Sequence, residues 1–159
     1  MSTSRSNVSV TISTAIAAPI GGVWSELERI EDHVEWMADA VAIDFHGDQR
    51  RGVGTSFDCK TKIGPLRTTD TMTVTEWTEG HVIGVTHRGA VTGRGRFTLS
   101  EIGPMNTDVT WSEVLEFPWW MGGPLGGFFA APIFRWIWKR NLTRLSERVT
   151  ATPAPGEQG

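Results

Sequence analysis

Apolar and polar residues alternate at period two along most of this chain and change to helical spacing in two places. Val8, Val10 and Ile12 alternate with Ser9, Thr11 and Ser13, the pattern of a strand with one buried face. Pro19 suits the first turn of a helix, and Ile20, Val23, Trp24 and Leu27 follow at helical spacing. A second short helix is expected to open at Asp32, with Glu35 completing a capping-box pattern and Val34 and Met37 as its buried face. Alternation resumes at Val41, Ile43 and Phe45. Phe57, Cys59, Thr61 and Ile63 then share a face opposite Ser56, Asp58, Lys60 and Lys62, and Gly64-Pro65 makes the turn. Thr68 to Trp77 reads as a long strand closed by Gly80, with further strands at Ile83–Val85, Phe97–Leu99 and Val109–Phe117. Turns about every ten residues indicate an antiparallel meander. The last element is a long helix beginning between Pro124 and Pro132. Its apolar stripe is Phe134, Trp138, Leu142, Leu145 and Val149, with Ile137 at the edge, while Arg135, Lys139, Arg140 and Arg144 lie mostly outside it. Residues 1–7 and 151–159 are expected to be disordered, which leaves one domain over 8–150.

One curved sheet wrapped around one helix leaves an interior that side chains need not fill, so the pattern points first to a container for an apolar molecule. At 159 residues the chain can bury roughly two-thirds of its unfolded surface without disulfides or metal. The single cysteine, Cys59, excludes an intramolecular disulfide and fits a reducing compartment. Met1–Asn7 has no apolar h-region, so no signal peptide is expected and the expected location is cytoplasmic. A net charge of −3 gives no electrostatic reason to expect nucleic acid. The stretch 117–134 carries no charge, but its prolines and glycines argue against a spanning helix. The composition holds eight Trp, seven Phe and no Tyr, which removes the phenol as a proton donor. His33, His46, His81 and His87 show no paired ligand spacing, so neither metal nor cofactor is expected. Gly93-Arg94-Gly95-Arg96 is followed by no helix and is not a nucleotide fingerprint. The triplet Asn141-Leu142-Thr143 lies inside the last helix and carries no weight as a glycosylation signal.

Strand, two short helices, a meander and a long C-terminal helix resemble the α+β helix-grip fold. Ala18-Pro19-Ile20-Gly21-Gly22-Val23-Trp24 is similar to the start of the first helix in the SRPBCC superfamily, and Glu35-Trp36-Met37 to the segment after its second. Gly52-Val53-Gly54-Thr55, Val74-Thr75-Glu76-Trp77, Gly95-Arg96-Phe97-Thr98-Leu99 and Thr107-Asp108-Val109-Thr110-Trp111 resemble its strand signatures in order, and Leu142 and Leu145 its final leucine pair. The resemblance spans residues 8–149, and its nearest branch is the polyketide cyclase/dehydratase and lipid-transport group, related to START domains. It implies a deep hydrophobic cavity between sheet and helix. It does not imply one activity, since the superfamily includes carriers, cyclases and co-chaperone domains.

Glu113 is the sharpest candidate for chemistry, as the only polar member of a strand face shared with Val109, Trp111, Leu115 and Phe117. Facing an apolar interior, its carboxylate would serve as proton donor or ligand anchor. His87 follows Ile83 and Val85, and Asp70 shares a face with Met72 and Val74, so these two are the other acid–base candidates. The cavity lining is expected to comprise Phe57, Cys59, Thr61, Met72, Val74, Val85, Phe97, Trp111, Glu113, Phe129, Ile133 and Ile137. Trp119, Trp120, Met121, Leu125, Phe128 and Phe129 read either as core capping the open end of the sheet or as a gate touching a membrane. Trp136, among Arg135, Lys139 and Arg140, belongs to the same membrane-contact reading. Three functions stay open: a carrier of a lipid, sterol-like or polyketide compound; an acid–base cyclase or dehydratase; and a co-chaperone-like interaction module.

Overall fold

The computed structural model describes residues 7–151, and the disorder expected at 1–6 and 152–159 lies outside the described residues. Seven strands form one antiparallel sheet in the order β1-β7-β6-β5-β4-β3-β2. They are β1 (Val8–Ile16), β2 (Ala40–Phe45), β3 (Ser56–Ile63), β4 (Leu66–Thr78), β5 (Val82–Arg88), β6 (Thr92–Gly103) and β7 (Asn106–Glu116). Helices α1 (Ile20–Leu27) and α2 (His33–Trp36) connect β1 to β2, and α3 (Gly123–Ala151) follows β7 through a 3₁₀ turn at Trp119–Met121. Ala151, assigned to the tail from its composition, is the last helical residue.

Burial on β7 alternates without a break, Val109, Trp111, Glu113 and Leu115 being buried, so its whole inner face points one way. Helix α3 crosses that face with Trp138, Leu142, Leu145 and Val149 buried against Val10, Ile12, Leu99 and Val109. Gly127 lets the helix come close: a Cβ there would run into the side chains of Val8 and Phe117. Pro132 stands inside α3, on its exposed side, where the carbonyl it leaves unpaired can turn to water. No helix among the described residues is long and apolar enough to cross a membrane.

Three expectations about packing are corrected. The buried residues of α2 are His33 and Trp36, with Val34 and Met37 only half-buried, because a 3₁₀ turn over Ile30–Asp32 shifts the helical phase. Asp32 makes no capping bond; its backbone is already helical and its carboxylate pairs with Arg29. The aromatic segment is not core. Trp119, Trp120, Leu125, Phe128 and Phe129 are all exposed, since α3 turns its other side to the sheet.

Candidate functional site

A cavity of about 180 Å³ lies between the inner face of the sheet and α3, and its walls are mostly apolar. Phe57, Cys59, Thr61, Met72, Val85, Phe97, Trp111 and Glu113 line it, together with Asp70, His87, Leu115, Phe134 and Trp138. Four residues expected in the lining are elsewhere. Val74 is sealed in a separate cluster with Ile30 and Phe57, and Ile137 is half-buried against the main core. Phe129 and Ile133 are exposed, because the inward stripe of α3 runs through Phe134 and Trp138 instead.

Tryptophan makes the hollow smaller than the element order suggests. Trp111 stacks on Trp138 with centroids 5.1 Å apart, Trp138 stacks on Phe134 at 5.3 Å, Phe97 lies tilted against Trp111 at 4.8 Å, and Trp36 packs edgewise on it. These rings occupy one end. An apolar cavity of about 150 Å³ is known to accept benzene, so the enclosed space suits one ring or a short chain. Its opposite end reaches the β3–β4 hairpin, where Leu66 lines the cavity and is also exposed.

Asp70, His87 and Glu113 sit on β4, β5 and β7 and share this wall. The Nε2–H of His87 donates to Glu113 Oε2 at 3.0 Å, and the Nε1–H of Trp111 donates to Glu113 Oε1 at 2.8 Å. Both His87 and Glu113 are buried. They belong to strands that are not neighbours, since β6 runs between them, and a side chain on β6 would normally separate them. At the intervening positions β6 carries Gly93, paired with His87 and Leu115, and Gly95, paired with Val85 and Glu113. A Cβ on Gly95 would collide with the Glu113 carboxylate. Glycine inside a strand marks such close approach. The Gly-x-Gly spacing just ahead of the strand expected at Phe97–Leu99 was therefore the sequence signal for this contact, since β6 in fact begins at Thr92 and takes in both glycines.

Burial alone lowers the pKa of His87. The Glu113 hydrogen bond, the Glu113 and Asp70 charges and a hydrogen bond to the Val91 backbone outweigh it and hold the imidazole above its ordinary value. Asp70 is also raised: burial lifts its pKa, favouring the neutral carboxyl, against the pull of His87 and the Ala90 and Val91 backbone. Its Oδ1 has no hydrogen-bond partner. Cys59, paired with Asp70 across β3 and β4, is pushed up to about 11 by burial, so its thiol stays protonated and inert. His33 also reaches the wall. Burial lowers it to about 4, and its Nε2–H donates to the Leu27 carbonyl at 2.8 Å. No cluster of His, Cys, Asp or Glu among the described residues could hold a metal ion.

The wall therefore combines greasy surface with one hydrogen-bonded chain, Trp111–Glu113–His87, in which Trp111 only donates, and a half-buried carboxyl beside it. It can hold an apolar body and direct a hydroxyl or carbonyl to Glu113, His87 or Asp70. A proton can also pass between the two paired groups.

Several solved structures share this architecture. Protein TTHA0849 from Thermus thermophilus superposes with a TM-score of 0.78 at 16% identity, covering 92% of this chain and 100% of its own. The Zhui aromatase/cyclase from Streptomyces sp. R1128 does so with 0.73 at 13% identity, covering 95% and 99%. A START superfamily protein from Mycobacterium smegmatis gives 0.69 at 15% identity, covering 90% and 97%. At such identities the likeness establishes the helix-grip fold and nothing about activity. No curated protein shows significant sequence similarity to the chain. The sequence profile described as polyketide cyclase/dehydrase and lipid transport matches residues 7–152, and with nearly the whole chain matched the protein belongs to that family.

Proposed function

We propose that the protein binds a small hydrophobic molecule, one ring or a short chain carrying a hydroxyl or carbonyl, in the cavity beneath α3. The observation that carries this is an apolar hollow whose polar atoms converge on the His87–Glu113 pair. Apolar walls supply affinity without direction, and a few placed polar groups fix the ligand's orientation. Native mass spectrometry of gently purified protein should reveal a bound apolar molecule. The emptied protein should take up 1-naphthol saturably, with quenching of Trp111 and Trp138 fluorescence. Val85→Trp, which fills the hollow, should abolish uptake. A protein isolated empty that shows no saturable naphthol uptake overturns the reading.

The same pair supports a second reading, a dehydratase or cyclase working by acid–base catalysis. Protonated His87 would give its proton to a departing hydroxyl while the Glu113 carboxylate takes one from the carbon beside a carbonyl; water leaves and a C=C bond forms. The hydrogen bond between them would then return the proton from Glu113 to His87. If Glu113→Gln left turnover of a confirmed substrate unchanged, this reading fails and the carrier reading stands.

A further inference from the structure

Helix α3 carries apolar side chains on both sides over about its first four turns. Its inner side is accounted for by the core and the cavity. Its outer side carries Leu125, Phe128, Phe129, Ile133 and Trp136, spaced at three and four residues and all exposed, Phe129 by 72%. Trp119 and Trp120, on the preceding turn, extend the same apolar surface and are exposed by 87% and 58%. A helix that is hydrophobic all round is normally buried all round, so something covers this face.

The charges next to the patch indicate what covers it. After Glu116 the first acidic residue is Glu147, and the interval holds Arg135, Lys139, Arg140 and Arg144. A chain of net charge −3 thus concentrates four cations, without a counter-charge in sequence, directly after its most exposed apolar segment. Lys139 and Arg140 continue the outward face one turn beyond Trp136. They line a groove of about 400 Å³ between α3 and β1, shared with Ser13, Thr14 and Trp136. The Arg140 guanidinium lies 5.7 Å from the centroid of the Trp136 ring.

We propose that this face docks on an anionic lipid bilayer. The aromatic and aliphatic side chains enter the boundary between headgroups and acyl chains, where tryptophan is favoured. Lys139 and Arg140 meet headgroup phosphates at the groove. Apolar area plus cations is the combination that binds helices to anionic membranes in the plane of the interface. The inner side of the same helix contributes Phe134 and Trp138 to the cavity wall, so docking would leave only the thickness of α3 between the cavity and the bilayer. The proposal is independent of what the cavity holds.

Co-sedimentation with vesicles tests it, using phosphatidylcholine alone and phosphatidylcholine mixed with phosphatidylglycerol. The full chain should bind the mixed vesicles, more weakly as salt rises, and bind phosphatidylcholine alone far less. Lys139→Glu and Arg140→Glu should each lower affinity for the mixed vesicles by about fivefold or more. Phe128→Ser with Phe129→Ser should abolish binding while leaving the circular dichroism spectrum unchanged, these side chains being exposed. Val85→Trp should bind vesicles like the parent chain, which separates this surface from the cavity. Failure to bind mixed vesicles, or equal binding to both compositions, overturns the proposal. So does a dimer in sedimentation equilibrium that the Phe128→Ser, Phe129→Ser variant converts to monomer, since a second copy would then be the cover.

Discussion

His87 and Glu113 touch across an intervening strand only because β6 presents Gly93 and Gly95 there. Gly95→Ala puts a methyl group against the Glu113 carboxylate and should push it off the imidazole. Burial, the largest influence on His87, would then prevail, so its pKa should drop from above 6.5 to below it, read from the ring protons in an NMR titration. A His87 titration identical to that of the parent chain would disprove the positioning role of Gly95. The two buried histidines also bend stability with pH in opposite senses. For His87 the folded pKa is raised, so its contribution is complete below 6.5 and disappears as pH rises through the folded value. For His33 the folded pKa is lowered from 6.5 to about 4, so its contribution is complete above 6.5 and disappears as pH falls towards 4. That loss is on the order of 3 kcal/mol, from the shift multiplied by about 1.4 kcal/mol per pH unit. His33→Gln, whose amide can still donate to the Leu27 carbonyl, should flatten the decline in urea-unfolding free energy over that interval. An equally steep decline in the variant would contradict the assignment.

Among the elements, α2 and α3 show where period and packing diverge. The stripe through Trp138, Leu142, Leu145 and Val149 could be read directly from sequence because a long helix averages out local irregularity. On the four-residue α2, one preceding 3₁₀ turn is enough to exchange Val34 and Met37 for His33 and Trp36 on the buried side. Asn141 was equally illegible. In sequence it sits in a meaningless glycosylation triplet, yet in the fold it is fully buried and holds the segment after α2 to α3. Its Oδ1 accepts the Ala38 N–H at 2.9 Å, and its Nδ2–H donates to Asp39 Oδ1 at 2.7 Å. Those partners lie about a hundred residues away in the chain, so no local pattern could announce them. Asn141→Ala should strand the Ala38 N–H and the Asp39 carboxyl, costing about 2 kcal/mol. The urea midpoint should fall with an unchanged m-value. A shift below a few tenths of a kcal/mol would mean that water replaces the amide.

For the whole molecule, the antiparallel meander and the placement of the long helix were legible because alternation, turns and one long apolar stripe admit few topologies, whereas the pairing of β1 with β7 joins the two ends of the chain and has no local signal. The size of the hollow was not, since it depends on how Trp111, Trp138, Phe134 and Phe97 stack, and rotamers leave no trace in a pattern of apolar positions. Nor was the exposure of Trp119, Trp120, Phe128 and Phe129, because hydrophobicity says that a surface is covered but not by what. These two features offer an apolar probe two distinct places to bind, and stability distinguishes them. A ligand held in the folded cavity raises stability by about 2.7 kcal/mol at a hundredfold excess over its Kd. For a domain of this size that is roughly 5–10 °C in Tm. 1-Naphthol should therefore raise the Tm of the parent chain with increasing concentration, and Val85→Trp should remove the shift. Phe128→Ser with Phe129→Ser should retain it, because those rings do not reach the cavity. The reverse outcome, a shift surviving in Val85→Trp and lost in the surface variant, would place the probe on the outer face of α3 and leave the hollow as a packing defect.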